Sequence, residues 1–127
     1  MPYFELIGED PKLQSGHGAR TNFIFKQSGD NKFVTLYSHW GGDTKLQDLA
    51  HALKLAEPRW SDEGYATRIM FNALQSNHDS ETGYGIYADG WGGEESYQST
   101  IIDFTKQTVI LDEVPIPFTQ FVEKWGR

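Results

Sequence analysis

The sequence predicts a single α+β domain over residues 1–127, a mainly antiparallel sheet with two or three helices on one face, in the order ββααβββα. Three observations carry this. Two β-type runs flank a Ser28-Gly-Asp-Asn turn, two amphipathic stretches follow back to back, and short β-type runs then return before a last amphipathic segment. A length of 127 residues fits one domain of ordinary size with a core of its own.

Each element has a local reason. Tyr3–Ile7 reads as a short N-terminal strand before a loop with Gly8, Pro11, Gly16 and Gly18. Thr21–Lys26 (TNFIFK) is β-branched and aromatic, and Lys32–Ser38 is its partner, so residues 20–38 form a hairpin. Asp43 or Thr44 caps a helix whose Leu46, Leu49, Ala50, Leu53 and Ala56 share one side; Lys45, Asp48, His51 and Lys54 lie away from its centre. Pro58 ends it, since the residue before a proline avoids helical angles. Ser61 or Asp62 starts a second helix with Ala66, Ile69, Met70, Ala73 and Leu74 as its core stripe. Phe71 lies off that stripe, exposed to a second contact or tucked under a loop. Strands are expected at Tyr84–Ala88, Tyr97–Phe104 and Thr108–Asp112. Pro115 and Pro117 should break regular structure, and Phe118–Trp125 should close the chain as a helix.

Composition removes several function classes. There is no cysteine, so neither a disulfide framework nor a thiolate metal site is available. His17, His39, His51 and His78 lack metal-ligand spacing, and no metal or cofactor is expected. MPYFELIGED lacks the features of a signal peptide, and no apolar run reaches membrane-spanning length; the expectation is a cytoplasmic protein with no membrane partner. A net charge of −7 disfavours nucleic-acid polymers. The charge is uneven: Lys12–Arg68 holds eight of the eleven basic residues, whereas Ile69–Thr105 holds none. A small anionic ligand would therefore meet the first half of the chain.

Four places could hold such a ligand. At the first, Gly41-Gly42 lets a ligand approach the unpaired amides of the following helix, where a phosphate can dock without any lysine. His39 beside that helix end is expected to be neutral, and Trp40 either stacks a base or caps the core. At the second, Arg59 suits a bidentate phosphate contact and Trp60 a stacking face, with Arg68 one turn further on; an Arg59 ion pair with Asp62 or Glu63 and a packed Trp60 are the alternative. The third is Gly16-His17-Gly18-Ala19-Arg20, a glycine loop with two cationic groups or an ordinary exposed loop. At the fourth, Asp79 and Glu81 could receive ribose hydroxyls or base amines while Tyr84 stacks. No Gly-x-Ser-x-Gly elbow is present. If the chain is an enzyme, His17 and His39 are the acid and base that could cleave a phosphodiester.

GHGARTNFIF, LYSHWGG, RWSDEGYATRI and ETGYGI together resemble a family of small tailed-phage proteins, over roughly residues 16–109. That resemblance implies a protein acting in the cytoplasm of the infected bacterial host. Small acidic phage proteins of this kind look like the sponges that counter host immunity by sequestering a nucleotide signal such as a cyclic ADP-ribose variant, histidine-linked ADP-ribose or a cyclic dinucleotide. The expected activity is thus binding without catalysis by a homo-oligomer. Its ligand-binding residues would be His17, Arg20, His39, Trp40, Gly41, Gly42, Arg59, Trp60, Arg68, Glu81 and Tyr84. A phosphodiesterase of such a signal, or an accessory that binds a host protein, are the alternatives.

Overall fold

The computed structural model describes residues 20–29, 32–38, 44–75, 83–88 and 99–126. Six strands form one sheet: β1 (Thr21–Lys26), β2 (Phe33–Ser38), β3 (Tyr84–Tyr87), β4 (Ser99–Asp103), β5 (Thr108–Leu111) and β6 (Val114–Pro117). Three α-helices accompany it, α1 (Lys45–Leu55), α2 (Glu63–Gln75) and α3 (Phe118–Trp125), with a short 3-10 turn at Glu57–Arg59 between α1 and α2. The strand order is β3-β2-β1-β4-β5-β6, antiparallel throughout except for the central β1–β4 pair, which is parallel. The α+β class and the order of elements follow the expectation, with one strand added. The expected strand at Tyr3–Ile7 lies outside the described residues.

The hairpin register runs from Thr21 opposite Ser38 to Lys26 opposite Phe33. Alternation then sorts the sheet into two faces. Thr21, Phe23, Phe25, Leu36, Ile102, Val109 and Ile116 share the face covered by the helices. There the apolar ones join Leu49, Leu53, Met70, Phe118 and Phe121 in one buried cluster. Ile24, on the other face, is buried but stands outside that cluster. Phe25 sits at the centre, edge-on to Phe71 at 5.0 Å and stacked with Phe104 at 6.4 Å.

Three local expectations need correction. Phe71 is half-buried against Phe25, so it belongs to the helix–sheet layer and not to a second contact. Pro115 and Pro117 do not break the chain but lie in β6, opposite Ile110 and Thr108. They are tolerated because β6 is an edge strand, where a missing N–H removes no ladder bond. Lys45, placed away from the helix stripe by periodicity, is only 4 % exposed.

Asp112 and Glu113 join β5 to β6 in two residues, with φ of 47° and 69°. Positive φ at both positions is a type I′ turn, which suits the twist of a hairpin but favours Asn-Gly. Replacing the pair (Asp112→Asn with Glu113→Gly) is expected to raise stability by about 1 kcal/mol. A urea midpoint that moves upward with an unchanged slope is the readout.

Candidate functional site

The helix-facing layer is apolar along most of the sheet and polar at one end. Thr21, Ser38 and Tyr84 stand side by side across β1, β2 and β3, and Thr100 lies in the next row beside Phe23. Thr21, Ser38 and Thr100 are buried. Arg20 leads into β1 at this same end and is half-buried. Asp48 in the first turn of α1 acts electrostatically on Tyr84, so that turn lies near this end.

That turn brings further polar groups. Thr44 stands at the helix N-cap but caps no amide with its side chain. Its hydroxyl instead donates to Asp48 Oδ2 at 2.7 Å. Asp48 opposes the positive end of the helix dipole, as an acid in a first turn should. Lys45, the first residue of α1, is buried. None of Ser38, Lys45 and Asp48 was singled out as a site residue from the sequence. A lysine and an aspartate three residues apart in a first turn read as ordinary solvent-facing helix residues. The available signal was the run of hydroxyls at strand ends that flank the Gly-Gly corner.

Tyr84 reports on this environment. Burial pushes its hydroxyl above the ordinary tyrosine pKa near 10, the neighbouring Ser38 hydroxyl pulls it back, and the Asp48 carboxylate pushes it up again. Tyr84 is therefore protonated throughout the physiological range and offers a neutral O–H. Because the folded-state pKa is raised, the stabilisation is complete below pH 10 and is lost as pH rises through the folded value. Tyr84→Phe is expected to flatten the stability profile above pH 10. Denaturant melts of both proteins across pH 8–11 check it, those figures being about the window the ordinary tyrosine value sets.

Arg59 and Trp60 are not at this site. They follow α1, whose 11 residues span about 16 Å. Their end of the layer is that of the β1–β2 turn, where Ser28 donates from its backbone N–H and its hydroxyl to the two carboxylate oxygens of Glu63, each at 2.6 Å. Trp60 is 9 % exposed, donates from Nε1 to Leu53 O at 2.9 Å and packs edge-on to Phe118 at 5.0 Å. A ring held on its face and its edge has no surface for a base, so the stacking expectation for Trp60 is corrected. The Arg59 guanidinium lies over the Tyr65 ring at 4.4 Å and 3.6 Å from Asp62. This is the ion-pair alternative. Arg68 is exposed on α2. His17, His39, Trp40, Gly41, Gly42 and Glu81 lie outside the described residues.

Among the described residues no group of His, Asp and Glu could hold a metal ion, and no helix is long and apolar enough to cross a membrane. No family model, curated protein or solved structure matches the chain. The functional reading therefore rests on the residues of the site.

Proposed function

We propose that this chain is a phage protein that binds and sequesters a nucleotide immune signal in the cytoplasm of the infected host. The signal is of the cyclic ADP-ribose type, histidine-linked ADP-ribose or a cyclic dinucleotide. The supporting observation is the polar end of the helix-facing layer. Thr21, Ser38, Tyr84 and Thr100 gather there on the sheet, with Asp48 of α1 acting electrostatically on Tyr84, whereas the strand residues beyond them on that face are apolar. Buried hydroxyls beside a carboxylate and the half-buried Arg20 suit a ligand rich in oxygen atoms. Such a set is costly in a core that only has to pack.

The reading has the ligand held and released intact. Its test is mass spectrometry of small molecules freed by heating the purified protein after incubation with the three classes of signal. An intact nucleotide returned in stoichiometric amount supports sequestration. Cleavage products would replace it with hydrolysis, and a protein that returns nothing from the panel is not a binder of these signals.

A further inference from the structure

We propose that the edge strand β3 pairs antiparallel with β3 of a second copy of this chain, two-fold about Ile86, and so joins two sheets into one dimer.

The two edges of the sheet, β6 and β3, differ in what they offer a further strand. Successive residues of an antiparallel ladder turn their N–H and C=O alternately to one side and the other. The Phe118 N–H donates to Gln107 O at 2.9 Å, one step beyond the Thr108–Pro117 pair, so Val109–Ile116 and Leu111–Val114 are the bonded pairs of β5 and β6. Pro115 and Pro117 therefore turn outward, and neither has an N–H to give. That edge is closed to a further strand.

The other edge is open. The Gln27 N–H donates to Lys32 O at 2.8 Å, one step beyond the Lys26–Phe33 pair, so β1 bonds to Val34, Leu36 and Ser38 of β2. Thr35 and Tyr37 then turn to β3 and bond to Tyr87 and Gly85. The N–H and C=O of Ile86 are left facing outward, with no partner among the described residues. The Ile86 side chain is 61 % exposed, the most of any large apolar residue described. Adding a strand here satisfies the backbone groups and covers the side chain together.

Charge and symmetry select the occupant. The chain carries a net charge of −7, yet residues 83–88 hold no charged side chain. In a two-fold pair each residue near the axis meets its own copy or a close neighbour of it, so a charged strand would repel itself and this one does not. One open edge per chain also closes the assembly at two, because the joined sheet is bordered on both sides by β6. A strand of four residues makes a small interface, so the dimer dissociates on dilution.

Sedimentation velocity from about 1 μM to 1 mM, a span that covers weak and moderate affinities, should show a monomer–dimer equilibrium and no larger species. Ile86→Lys sets like charges at the axis and should be monomeric with an unchanged far-UV spectrum; Ile86→Pro, which copies the device of β6, serves if Ile86→Lys does not fold. The chain has no cysteine, so Ile86→Cys reports the pairing by itself. Bonded partners have Cα atoms about 5.5 Å apart, within disulfide reach, and mild oxidation should yield a covalent dimer. Tyr65→Cys, comparably exposed on α2, should not cross-link. A monomer at the highest concentration, a dimer that survives in folded Ile86→Lys or Ile86→Pro, growth beyond the dimer, or equal cross-linking by the two cysteine variants overturns the proposal.

Discussion

Trp60→Ala is expected to destabilise the protein by about 3–5 kcal/mol, the range for removing a large buried aromatic. For a chain of this size that is a fall in melting temperature of roughly 10–20 °C. Two losses combine. The ring leaves a hole where it met Phe118 at 5.0 Å, and Leu53 O loses the indole N–H that bonded it at 2.9 Å. Trp60→Phe should recover most of the packing and none of the hydrogen bond, placing it about 1–2 kcal/mol below the parent. The same pair of variants separates the two roles that sequence offered for this residue. A melting temperature that barely moves in Trp60→Ala would return Trp60 to the surface and to the list of stacking candidates.

The second large effect is expected at Asp103. Asp103 is 3 % exposed, on the sheet face away from the helices. Oδ1 accepts the Lys106 N–H at 3.1 Å, which shapes the turn between β4 and β5, and Oδ2 lies 3.7 Å from Lys26 Nζ. Lys26 is 40 % exposed at its side chain, so the ion pair is partly screened and contributes under about 1 kcal/mol. The bond to the turn is the larger contribution. Asp103→Ala leaves the Lys106 amide without its acceptor and is expected to cost about 2–3 kcal/mol. Asp103→Asn keeps an acceptor oxygen and should cost less than half of that. Lys26→Met should fall within about 1 kcal/mol of the parent. Urea melts of the three variants rank the contributions, and Lys26→Met as costly as Asp103→Ala would contradict this division.

The fold was legible where periodicity and turn chemistry agree. The hairpin, the α1 stripe and the closing helix Phe118–Trp125 stand where pattern put them, because each buries one regular face against the same core. Misreadings arose where tertiary context overrode a local rule. Proline breaks a central strand but not an edge, and an edge is a property of sheet order that β6 does not carry in its own residues. Phe71 and Lys45 lie off the centre of their stripes, yet the layer is wide enough to bury both flanks. The site was legible only in part. Sequence pointed to the corner between Ser38 and Thr44 and to Tyr84, and β2 and β3 lie side by side at that end. It also grouped Arg59 and Trp60 with that corner, since nothing in a linear chain shows that a helix length separates them. Asp48 was missed because Tyr84, on which its charge acts, lies in a strand that sequence distance hides.

The single parallel pair divides the sheet into two antiparallel halves. One is made by β1, β2 and β3, the other by β4, β5 and β6, and β1 against β4 is the seam. Contacts such as Phe25 with Val34 or Ile102 with Val109 join near neighbours, whereas Ile24 meets Ile101 only after most of the chain has been made. Forming the seam carries the entropy of closing that loop, as does pairing β2 with β3 across the two helices, whereas the β1–β2 hairpin and the β4–β6 half assemble locally. During synthesis the strand edge of β1 stays open until β4 emerges. Until then the half-built sheet exposes an unpaired central strand, the interval in which this chain is most prone to associate with the wrong partner.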